Sequence, residues 1–419
     1  MSSPSPTARV VSFEEARHIV EKQAAQVTPS GSERANLLVS VGQVLAEGLV
    51  ADRDFPPFAR AARDGYAVRA EDVAEVPARL EVIGEIKAGD ADESLNVQAG
   101  QAAAIMTGAP MPAGADAVVM VESTALSGST VEVQRGVKAG ENFVPRGSEA
   151  RMGQLLLERG TRLDHAGIAL AASVGKTELQ VFRKPRVAVL ATGDEIVEID
   201  RSPGPAQIRN SNTYSLAAQV HRAGGEPVLL PIAPDEKGRL RNLIEEGLNS
   251  DLLLLAGGVS MGKYDLVEQV LGELESEFYF TGAQIQPGKP IVFGSGKHGR
   301  AGMPASHKKY FFGLPGNPVS TMVTFELFVR PMIAALAGAR PEALIFLKAR
   351  LKSDVRTKTG LKRFLPAMLS GEFENAEVEL ARWQGSGDIA ALAAANCYLV
   401  VPPDREMIAA GEWVSVMMR

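Results

Sequence analysis

From Pro185 onward the chain alternates apolar strands with helices, and glycine-rich loops follow several of the strands. The pattern predicts strands at 186–191, 227–232 and 251–256, separated by helices near 213–223, 236–248 and 264–272. Strands that alternate with helices form a parallel sheet covered on both faces. Ligands of such sheets bind beyond the carboxyl ends of the strands. We therefore expect a doubly wound α/β domain at 181–338 with a ligand site at that edge.

The flanking regions predict three further units. Short β-type runs broken by Gly and Pro predict a small, mostly antiparallel β domain at 53–145, and strand patterns after Pro341 predict a C-terminal β domain at 339–419. Ser12 with Glu15 predicts a capped helix over 12–26, and Asp164 caps a second one. We expect residues 1–52 and 146–180 to form one mixed α/β domain in which the first helix packs against the later segment.

Composition excludes several classes of protein. The 419 residues carry 44 Lys+Arg against 50 Asp+Glu, a net charge of -6, which argues against a nucleic-acid partner. The single cysteine, Cys397, forms no intramolecular disulfide or zinc site, and the five histidines show no ligand spacing. No secretion signal or membrane-spanning apolar stretch is evident. We expect a cytoplasmic protein.

Two of the glycine-rich loops suit phosphate and metal. Thr192-Gly193-Asp194-Glu195 follows the first strand of the α/β unit, and its two carboxylates beside a glycine suit Mg²⁺, although a turn with a helix cap explains it equally well. Gly257 and Gly258, with Ser260 and then Asp265, predict a nest of backbone N–H groups for an anion, with tight-turn geometry as the alternative.

Two further loops suit an oxyanion. Residues 313–320 lead a strand into a long helix, with Gly316 before the N-cap Asn317 and Ser320 in the first turn. Residues 286–290 present Lys289, followed by Pro290, on a rigid turn. A rigid connector and an isolated surface lysine are the simpler interpretations. The four loops together favour a pocket for a phosphorylated ligand plus a metal or second oxyanion.

Other polar segments have simple local explanations. Asp64 before Gly65 and the segment 384–388 are typical turns. The Gly- and Ser-rich stretch 295–309, with four basic residues, predicts a mobile hairpin tip in preference to an anion contact.

The ordered set of motifs resembles one family, the molybdopterin molybdenumtransferases, shared by a bacterial enzyme and the E domains of gephyrin. The matching segments are 64–67, 106–116, 191–195, 257–265, 287–290 and 313–320. The resemblance implies an elongated homodimer of four-domain subunits with a barrel-like C-terminal domain. It also implies the final step of molybdenum cofactor synthesis, in which molybdate is inserted into adenylylated molybdopterin with Mg²⁺ and AMP is released.

The resemblance also assigns roles to residues of this chain. Catalytic roles fall to Asp64, Thr107, Glu195, Asp265 and Lys289, with Asp64 and Thr107 reaching across the dimer interface. Metal binding falls to Glu195, Asp235 and Asp265, and molybdate contacts fall to Lys289, Pro290, Ser320 and Ser386. The remaining ligand-binding positions are Thr192, Gly193, Asp194, Gly257, Gly258, Ser260, Gly316 and Asn317. The implied partners are the enzyme that adenylylates molybdopterin and the molybdoenzymes that receive the product.

Two positions depart from the family pattern. Gln286 replaces a lysine, and Leu361 replaces an arginine, although Lys362 and Arg363 adjoin it. Both changes concern the implied molybdate pocket and its choice between molybdate and tungstate. They leave open a second function, a molybdopterin-nucleotide carrier with weak or altered metal insertion. A scaffolding role, as in a vertebrate relative, rests on the shared fold alone.

Overall fold

The computed structural model describes residues 9–89, 95–258, 266–296 and 308–419. Within these ranges the main strands form three six-stranded sheets, accompanied by short two-stranded ones. Short 3-10 turns lie at Ala70–Val73, Val121–Ser123 and Phe373–Asn375.

The N-terminal segment contains one helix and three short strands. These are β1 (Val10–Val11), α1 (Phe13–Ala24), β2 (Ser32–Asn36) and β3 (Leu49–Val50). The predicted cap is confirmed, because Ser12 Oγ accepts a hydrogen bond from Glu15 N at 3.1 Å. The predicted packing is wrong. Phe13 contacts the rings of Phe328 and Phe364, and the buried residues of α1 belong to the core of the α/β and C-terminal units, not to the core that contains Leu163 and Leu179.

The small β domain contains one six-stranded sheet. Its strands and their short neighbours are β4 (Arg60–Ala61), β5 (Gly65–Val68), β6 (Ala78–Ile86), β7 (Gln101–Ile105), β8 (Ala117–Met120), β9 (Thr124–Ser127), β10 (Thr130–Val133) and β11 (Phe143–Val144). The sheet order is β8-β5-β7-β6-β10-β9, antiparallel except for β6 with β7. A side chain at Gly65 would collide with the Val119 carbonyl, which explains the glycine directly after Asp64.

A second part of the N-terminal region pairs with the segment after this sheet. Its elements are β12 (Leu155–Leu157), α2 (His165–Ser173) and β13 (Glu178–Phe182). β3 pairs with β12 and β2 with β13, both antiparallel. Asp164 caps α2 as predicted, accepting from Gly167 N at 2.8 Å. Residues 32–50 therefore share a core with 155–182, whereas α1 lies elsewhere.

The α/β domain is built around a six-stranded sheet. Its elements are β14 (Arg186–Ala191), β15 (Ile196–Val197), β16 (Ile208–Arg209), α3 (Ser211–Arg222), β17 (Glu226–Leu229), α4 (Lys237–Gly247), β18 (Leu252–Ala256), α5 (Leu266–Glu273), β19 (Glu277–Phe280), β20 (Gly282–Ala283), β21 (Ile285–Gln286), β22 (Val292–Gly296), β23 (Lys309–Leu314), α6 (Pro318–Thr324) and α7 (Arg330–Leu336). Along β18 alternate leucines enter two different cores, because successive strand side chains face opposite sides. The sheet is therefore buried on both faces.

The strand directions correct one expectation. The sheet order is β17-β14-β18-β23-β22-β19, and the first four strands are parallel. At the other edge, β22 runs antiparallel to both of its neighbours, β23 and β19, so the sheet is mixed. β22 and β23 flank the segment expected to be a mobile hairpin tip, but residues 297–307 lie outside the described ranges. Lys309 Nζ, at its end, donates to the Ser250 carbonyl.

α6 and α7 are joined by a π-helical turn, Phe325–Val329, that the sequence did not predict. Pro331 begins the next turn without an N–H to continue the α-helical hydrogen bonds. Together these turns form one continuous helix, Pro318–Leu336, which is long and apolar enough to cross a membrane. However, 72% of its apolar window is buried inside the protein. It is therefore the core helix of this domain.

The C-terminal domain is a closed barrel. Its elements are β24 (Phe346–Leu351), β25 (Val355–Arg356), β26 (Lys362–Ser370), β27 (Glu377–Leu380), α8 (Ile389–Ala394), β28 (Cys397–Val401), β29 (Met407–Ile408) and β30 (Trp413–Met418). The order β26-β27-β24-β30-β28 closes through the pairing of β28 with β26. β21 of the α/β domain adds to β26 in parallel, with Gln286 opposite Arg363. This pairing brings the 286–290 loop against the barrel.

Candidate functional site

Three glycine-rich loops meet at the carboxyl edge of the parallel strands. Gly257 and Gly258 follow β18 with φ of 95° and 65°, a left-handed conformation that glycine adopts readily. A Cβ on Gly257 would lie 2.9 Å from the Thr192 carbonyl, and one on Gly316 would lie 3.6 Å from the Gly257 Cα. The structure therefore brings Thr192, Gly257, Gly258 and Gly316 together, as the sequence predicted.

Two polar atoms beside these loops are buried without a hydrogen-bond partner among the described residues. They are Thr192 Oγ1 and Asn212 Oδ1. The amide Nδ2 of the same Asn212 donates to the Gly316 carbonyl at 2.7 Å, which fixes the side chain against the loop. Buried polar atoms are normally paired, and these two are the members of a set of seven such atoms in the described residues that lie beside the glycine-rich loops, where a polar ligand would pair with them.

The acidic residues lie on exposed loops at the same edge. Asp235, beyond β17, donates its backbone N–H to Asp194 Oδ1 at 3.1 Å, which ties the loop after β17 to the loop after β14. Glu195 folds its carboxylate back against Gly193. Two other predicted residues, Ser260 and Asp265, lie outside the described residues. Within the described ranges no cluster of three metal-ligating side chains forms.

A separate cavity of about 640 Å³ lies where the α/β domain meets the barrel. It is lined by Ile285, Gln286, Pro287, Gly288, Lys289, Pro290, Pro315, Asn317, Ser320, Leu361, Trp383, Gln384, Gly385 and Ser386. All four residues that the family resemblance assigned to molybdate are in this set. The four loops of the sequence analysis therefore form two neighbouring groups, one at the sheet edge and one in this cavity.

Lys289 presents its side chain to the cavity on a tightly held loop. Its carbonyl accepts hydrogen bonds from Ala283 N and Ile291 N, both at 3.0 Å. Gly288 has a φ of 106°, and a Cβ there would collide with Thr324 of α6. The ammonium of Lys289 has no ion-pair partner among the described residues. A fixed backbone thus carries an unneutralised charge into the cavity.

The N-terminal end of α6 is packed against the barrel loop that carries Ser386. Val319 N donates to the Ser386 carbonyl at 2.9 Å, and Pro318 has no N–H. The first two positions of the helix therefore offer no free N–H. Fewer backbone N–H groups than expected are available to an oxyanion at this helix end. Asp388 fixes the loop from the other side, accepting from Gln384 N and Ala391 N at 3.1 and 3.0 Å. These two backbone hydrogen bonds, that from Ala391 first, lower the pKa of the Asp388 carboxyl.

The two basic residues after Leu361, Lys362 and Arg363, have different surroundings. Lys362 forms an ion pair with Glu14 and lies 4.8 Å from the centre of the Phe13 ring, away from the cavity. Arg363 is buried, with 6% of its surface exposed. Its Nε donates to Gln286 Oε1 at 2.8 Å, and its Nη1 donates to the Leu361 carbonyl at 3.1 Å. Arg363 is therefore the cation that lies directly behind the cavity wall.

Sequence reasoning missed the lining residue Trp383 and interpreted Gln384 only as the first residue of the 384–388 turn. Trp383 packs between the barrel core and the α/β core. The chain has only two tryptophans, and a tryptophan before a glycine-rich turn is the signal that marks this position.

Asp64 and Thr107 form a polar pair in the small β domain. Asp64 Oδ1 accepts from Thr107 N at 2.6 Å and from Thr107 Oγ1 at 2.7 Å. These hydrogen bonds, that from the backbone N–H first, lower the pKa of the exposed Asp64 carboxyl. Neither residue lines the cavity beside the barrel.

Comparisons with known proteins cover nearly the whole chain. Residues 11–175 match the MoeA N-terminal region (domain I and II), residues 188–335 a probable molybdopterin binding domain, and residues 348–418 the MoeA C-terminal region (domain IV). A molybdopterin molybdenumtransferase of Nostoc sp. is 37% identical over 396 residues, which cover 92% of this chain and 88% of that protein. The chain belongs to the molybdopterin molybdenumtransferase family.

Other members of the molybdopterin molybdenumtransferase family agree in length and fold. Molybdopterin molybdenumtransferase 1 of Mycobacterium tuberculosis is 34% identical, with 95% of this chain and 98% of that protein covered. The crystal structure of a molybdopterin biosynthesis moeA protein from Pyrococcus horikoshii superposes with a TM-score of 0.78 at 29% identity, covering 98% of this chain and 100% of that one. The family resemblance and the predicted fold class are thereby confirmed. Members of this family are transferases of molybdenum cofactor biosynthesis.

Proposed function

We propose that this protein inserts molybdate into adenylylated molybdopterin and releases AMP, in a reaction that requires Mg²⁺. The observation that carries the proposal is the cavity beside the barrel. It unites Lys289, Ser320 and Ser386 from three separate segments and lies next to the glycine-rich loops of the α/β domain. A site for a small oxyanion thus adjoins a site suited to phosphate groups.

Molybdate is a dianion, and the cavity supplies matching charge. The Lys289 ammonium faces the cavity, and the Arg363 guanidinium lies behind Gln286. Hydroxyl groups of Ser320 and Ser386 add neutral hydrogen-bond donors. Fixed donors in a partly closed site stabilise an oxyanion without reorganising when it binds. The cavity would hold molybdate beside the dithiolene of the pterin.

The glycine-rich loops are suited to the phosphates of the adenylylated pterin. Backbone N–H groups in tight turns form anion-binding concavities. Gly257 N already donates to the Leu314 carbonyl at 3.1 Å, so this turn offers a ligand the N–H of Gly258, which has a φ of 65°. The unpartnered hydroxyl of Thr192 can donate to a phosphate oxygen, whereas the unpartnered amide oxygen of Asn212 can accept only from an N–H or O–H group of the ligand. The small residues around them leave the backbone open to close approach.

The exposed carboxylates at this edge fit Mg²⁺ when it is bound together with a substrate. Magnesium in such sites is held by one or two carboxylates plus substrate phosphates, and it retains several waters. Glu195 and Asp235 would hold it, with Asp265 of the adjoining segment. Bound there, the ion would neutralise charge on the diphosphate as AMP departs. Chelation by EDTA should abolish AMP release, and added Mg²⁺ should restore it.

We further propose a homodimer in which Asp64 and Thr107 complete the active site of the partner subunit. The pair is ordered and exposed, yet its hydrogen bonds lie within its own sheet. Intersubunit complementation tests this arrangement. Asp64→Asn and Lys289→Gln chains, each inactive alone, should regain up to about a quarter of wild-type activity per chain when mixed and reassembled. Complementation that never exceeds the sum of the two separate activities would contradict the shared site.

The carrier function remains the second candidate, because Gln286 places a neutral amide where the family often has lysine. The two functions predict different products. A transferase yields molybdenum bound to the pterin after the protein is removed, which elemental analysis of the extracted cofactor would detect. A carrier returns the adenylylated pterin unchanged. Expression in the cytoplasm is proposed for either function.

A further inference from the structure

A second cavity, of about 900 Å³, lies where α1, α3 and α7 end near the loop before α2. It shares no lining residue with the cavity beside the barrel. The two cavities lie at opposite ends of the helix Pro318–Leu336. Ala334 lines this one and Ser320 lines the other, and fourteen residues at 1.5 Å per residue separate them by roughly 20 Å. A volume of this size is in the range of small-molecule binding sites.

The wall of this cavity carries a surplus of positive charge. Five arginines line it, Arg159, Arg162, Arg222, Arg330 and Arg340, against two glutamates, Glu21 and Glu342. Arg330 and Arg340 pair with Glu326 and Glu158, which lie outside the lining, so the positive charge of the cavity rests on Arg159, Arg162 and Arg222. The three helix C-termini contribute roughly half a negative charge each, which offsets only part of the surplus. Glu21 is itself engaged, because Arg17 pairs with it at 2.7 Å. The cavity is therefore electropositive.

Three of these arginines lack a counter-ion. In the described part of the chain, no carboxylate oxygen lies within 4 Å of the guanidinium nitrogens of Arg159, Arg162 or Arg222. Arg162 donates instead to the carbonyls of Gly42 and Ala223, at 2.7 and 3.3 Å. Burial lowers the pKa of Arg162, Glu342 opposes that shift, and Arg330 adds to it as a like charge. An anion between these groups would relieve the repulsion.

Part of the lining is apolar. Ala24, Val27, Leu344 and Phe182 belong to it. The guanidinium of Arg159 lies 5.0 Å from the centre of the Phe182 ring. A guanidinium plane over an aromatic ring offers a stacking surface to a planar group. The cavity thus combines arginines for an anion with a surface for a ring.

We propose that this cavity binds a nucleotide, with its phosphates beside Arg162 and Arg222 and its base stacked on the guanidinium of Arg159, which rests on the buried ring of Phe182. Arginine recognises phosphate through paired, charge-assisted hydrogen bonds. The size of the cavity admits a base, a sugar and two or three phosphates. The site is distinct from the candidate functional site and does not depend on the proposed reaction.

Isothermal titration of the full-length protein with ATP, adenosine and inorganic phosphate at low ionic strength tests the proposal. ATP should bind at least about tenfold more tightly than either fragment, because only ATP engages both the arginines and the stacking surface. Equal affinity for inorganic phosphate and ATP would overturn the nucleotide assignment. The absence of ATP binding at millimolar concentration would overturn the site itself.

Substitutions inside and outside the cavity test whether ATP binds in it. Arg159→Gln with Arg222→Gln should weaken ATP binding at least about tenfold, and both side chains are exposed, so folding should be retained. The matched control, Arg53→Gln with Arg79→Gln, removes the same charge outside the cavity and should bind ATP as the wild type does. Lys289→Gln should also leave ATP binding unchanged. Loss of binding in Lys289→Gln, or full binding in the Arg159/Arg222 variant, would contradict the proposal.

Discussion

Arg363 Nε donates a hydrogen bond to Gln286 Oε1 at 2.8 Å, so the buried guanidinium fixes the amide that lines the candidate molybdate cavity. The Oε1 atom is occupied by this bond, which leaves the Nε2 donors of Gln286 available to an oxyanion. A neutral amide backed by a buried cation thus stands where the family resemblance implies a lysine. We propose that Arg363 offsets the loss of charge at position 286.

Replacing the Gln286 amide by a carboxylate should weaken molybdate use specifically. Gln286→Glu would form an ion pair with Arg363 and present a negative charge to the cavity, so the KM for molybdate should rise at least about tenfold with a smaller change in kcat. Lys362→Gln is the matched control, because Lys362 pairs with Glu14 away from the cavity. Steady-state kinetics over a molybdate series would show the difference. An unchanged KM in Gln286→Glu would contradict this role.

Asp64→Asn should lower turnover roughly a hundredfold while the fold is retained, because the amide keeps the shape but loses the charge. Asp72→Asn is the matched control, since Asp72 accepts from Gly100 N in the same domain and has no proposed catalytic role. Single-turnover rates and circular dichroism of both variants would separate chemistry from folding. Equal rates in the two variants would argue against a catalytic Asp64.

The pH dependence of Asp64 follows from its hydrogen bonds. Thr107 lowers the pKa of Asp64 below its usual 3.8. The stability that this carboxylate contributes is therefore present above pH 3.8 and is lost as the pH falls through the lowered pKa. Between pH 5 and pH 8 the carboxylate stays ionised. Rate profiles of the wild type and Asp64→Asn should be parallel there, and a slope removed by the substitution would contradict the lowered pKa.

Asp388 positions the barrel loop without lining the cavity itself. Asp388→Ala removes the acceptor for Gln384 N and Ala391 N, so the Ser386 segment should move and the molybdate KM should rise roughly tenfold or more. Asp388→Asn keeps one acceptor oxygen and should recover part of the loss. The same KM for Asp388→Ala and the wild type would show that the loop is held by other contacts.

Cys397 should be unreactive in the folded protein. Burial raises the pKa of its thiol to about 11, so almost no thiolate is present at pH 8. A thiol reagent such as DTNB should label no group in the native protein and one group after unfolding in guanidinium chloride. Rapid labelling of the native protein would show that the barrel opens.

The sequence predicted what local patterns determine. The caps at Ser12 and Asp164 and the strands β14, β17 and β18 depend on neighbouring residues, and the structure contains them. The edge strands β19 and β22 were not predicted. The packing of Phe13 on Phe328 and Phe364 was not predictable, because it joins segments more than 300 residues apart. The sequence named Lys362 and Arg363 beside Leu361 without separating them, because the placement of Arg363 behind Gln286 depends on the pairing of β21 with β26.

The residues of the candidate site also include some that the sequence identified and some that only the fold reveals. The resemblance selected Lys289, Ser320 and Ser386, which meet in one cavity. Trp383 and Gln384 were not predicted as site residues, because the sequence of a turn does not show which cavity the turn will line. The free N–H groups expected at the start of the helix were reduced by a contact between domains, Val319 N to the Ser386 carbonyl.

The measurement that tests the central claim most directly is the rate of AMP release from adenylylated molybdopterin by the purified protein with Mg²⁺, with and without molybdate. The account predicts release that depends on molybdate, that saturates with its concentration, and that falls in Lys289→Gln. Binding of the adenylylated pterin without any molybdate-dependent release of AMP would contradict the transferase function and favour the carrier.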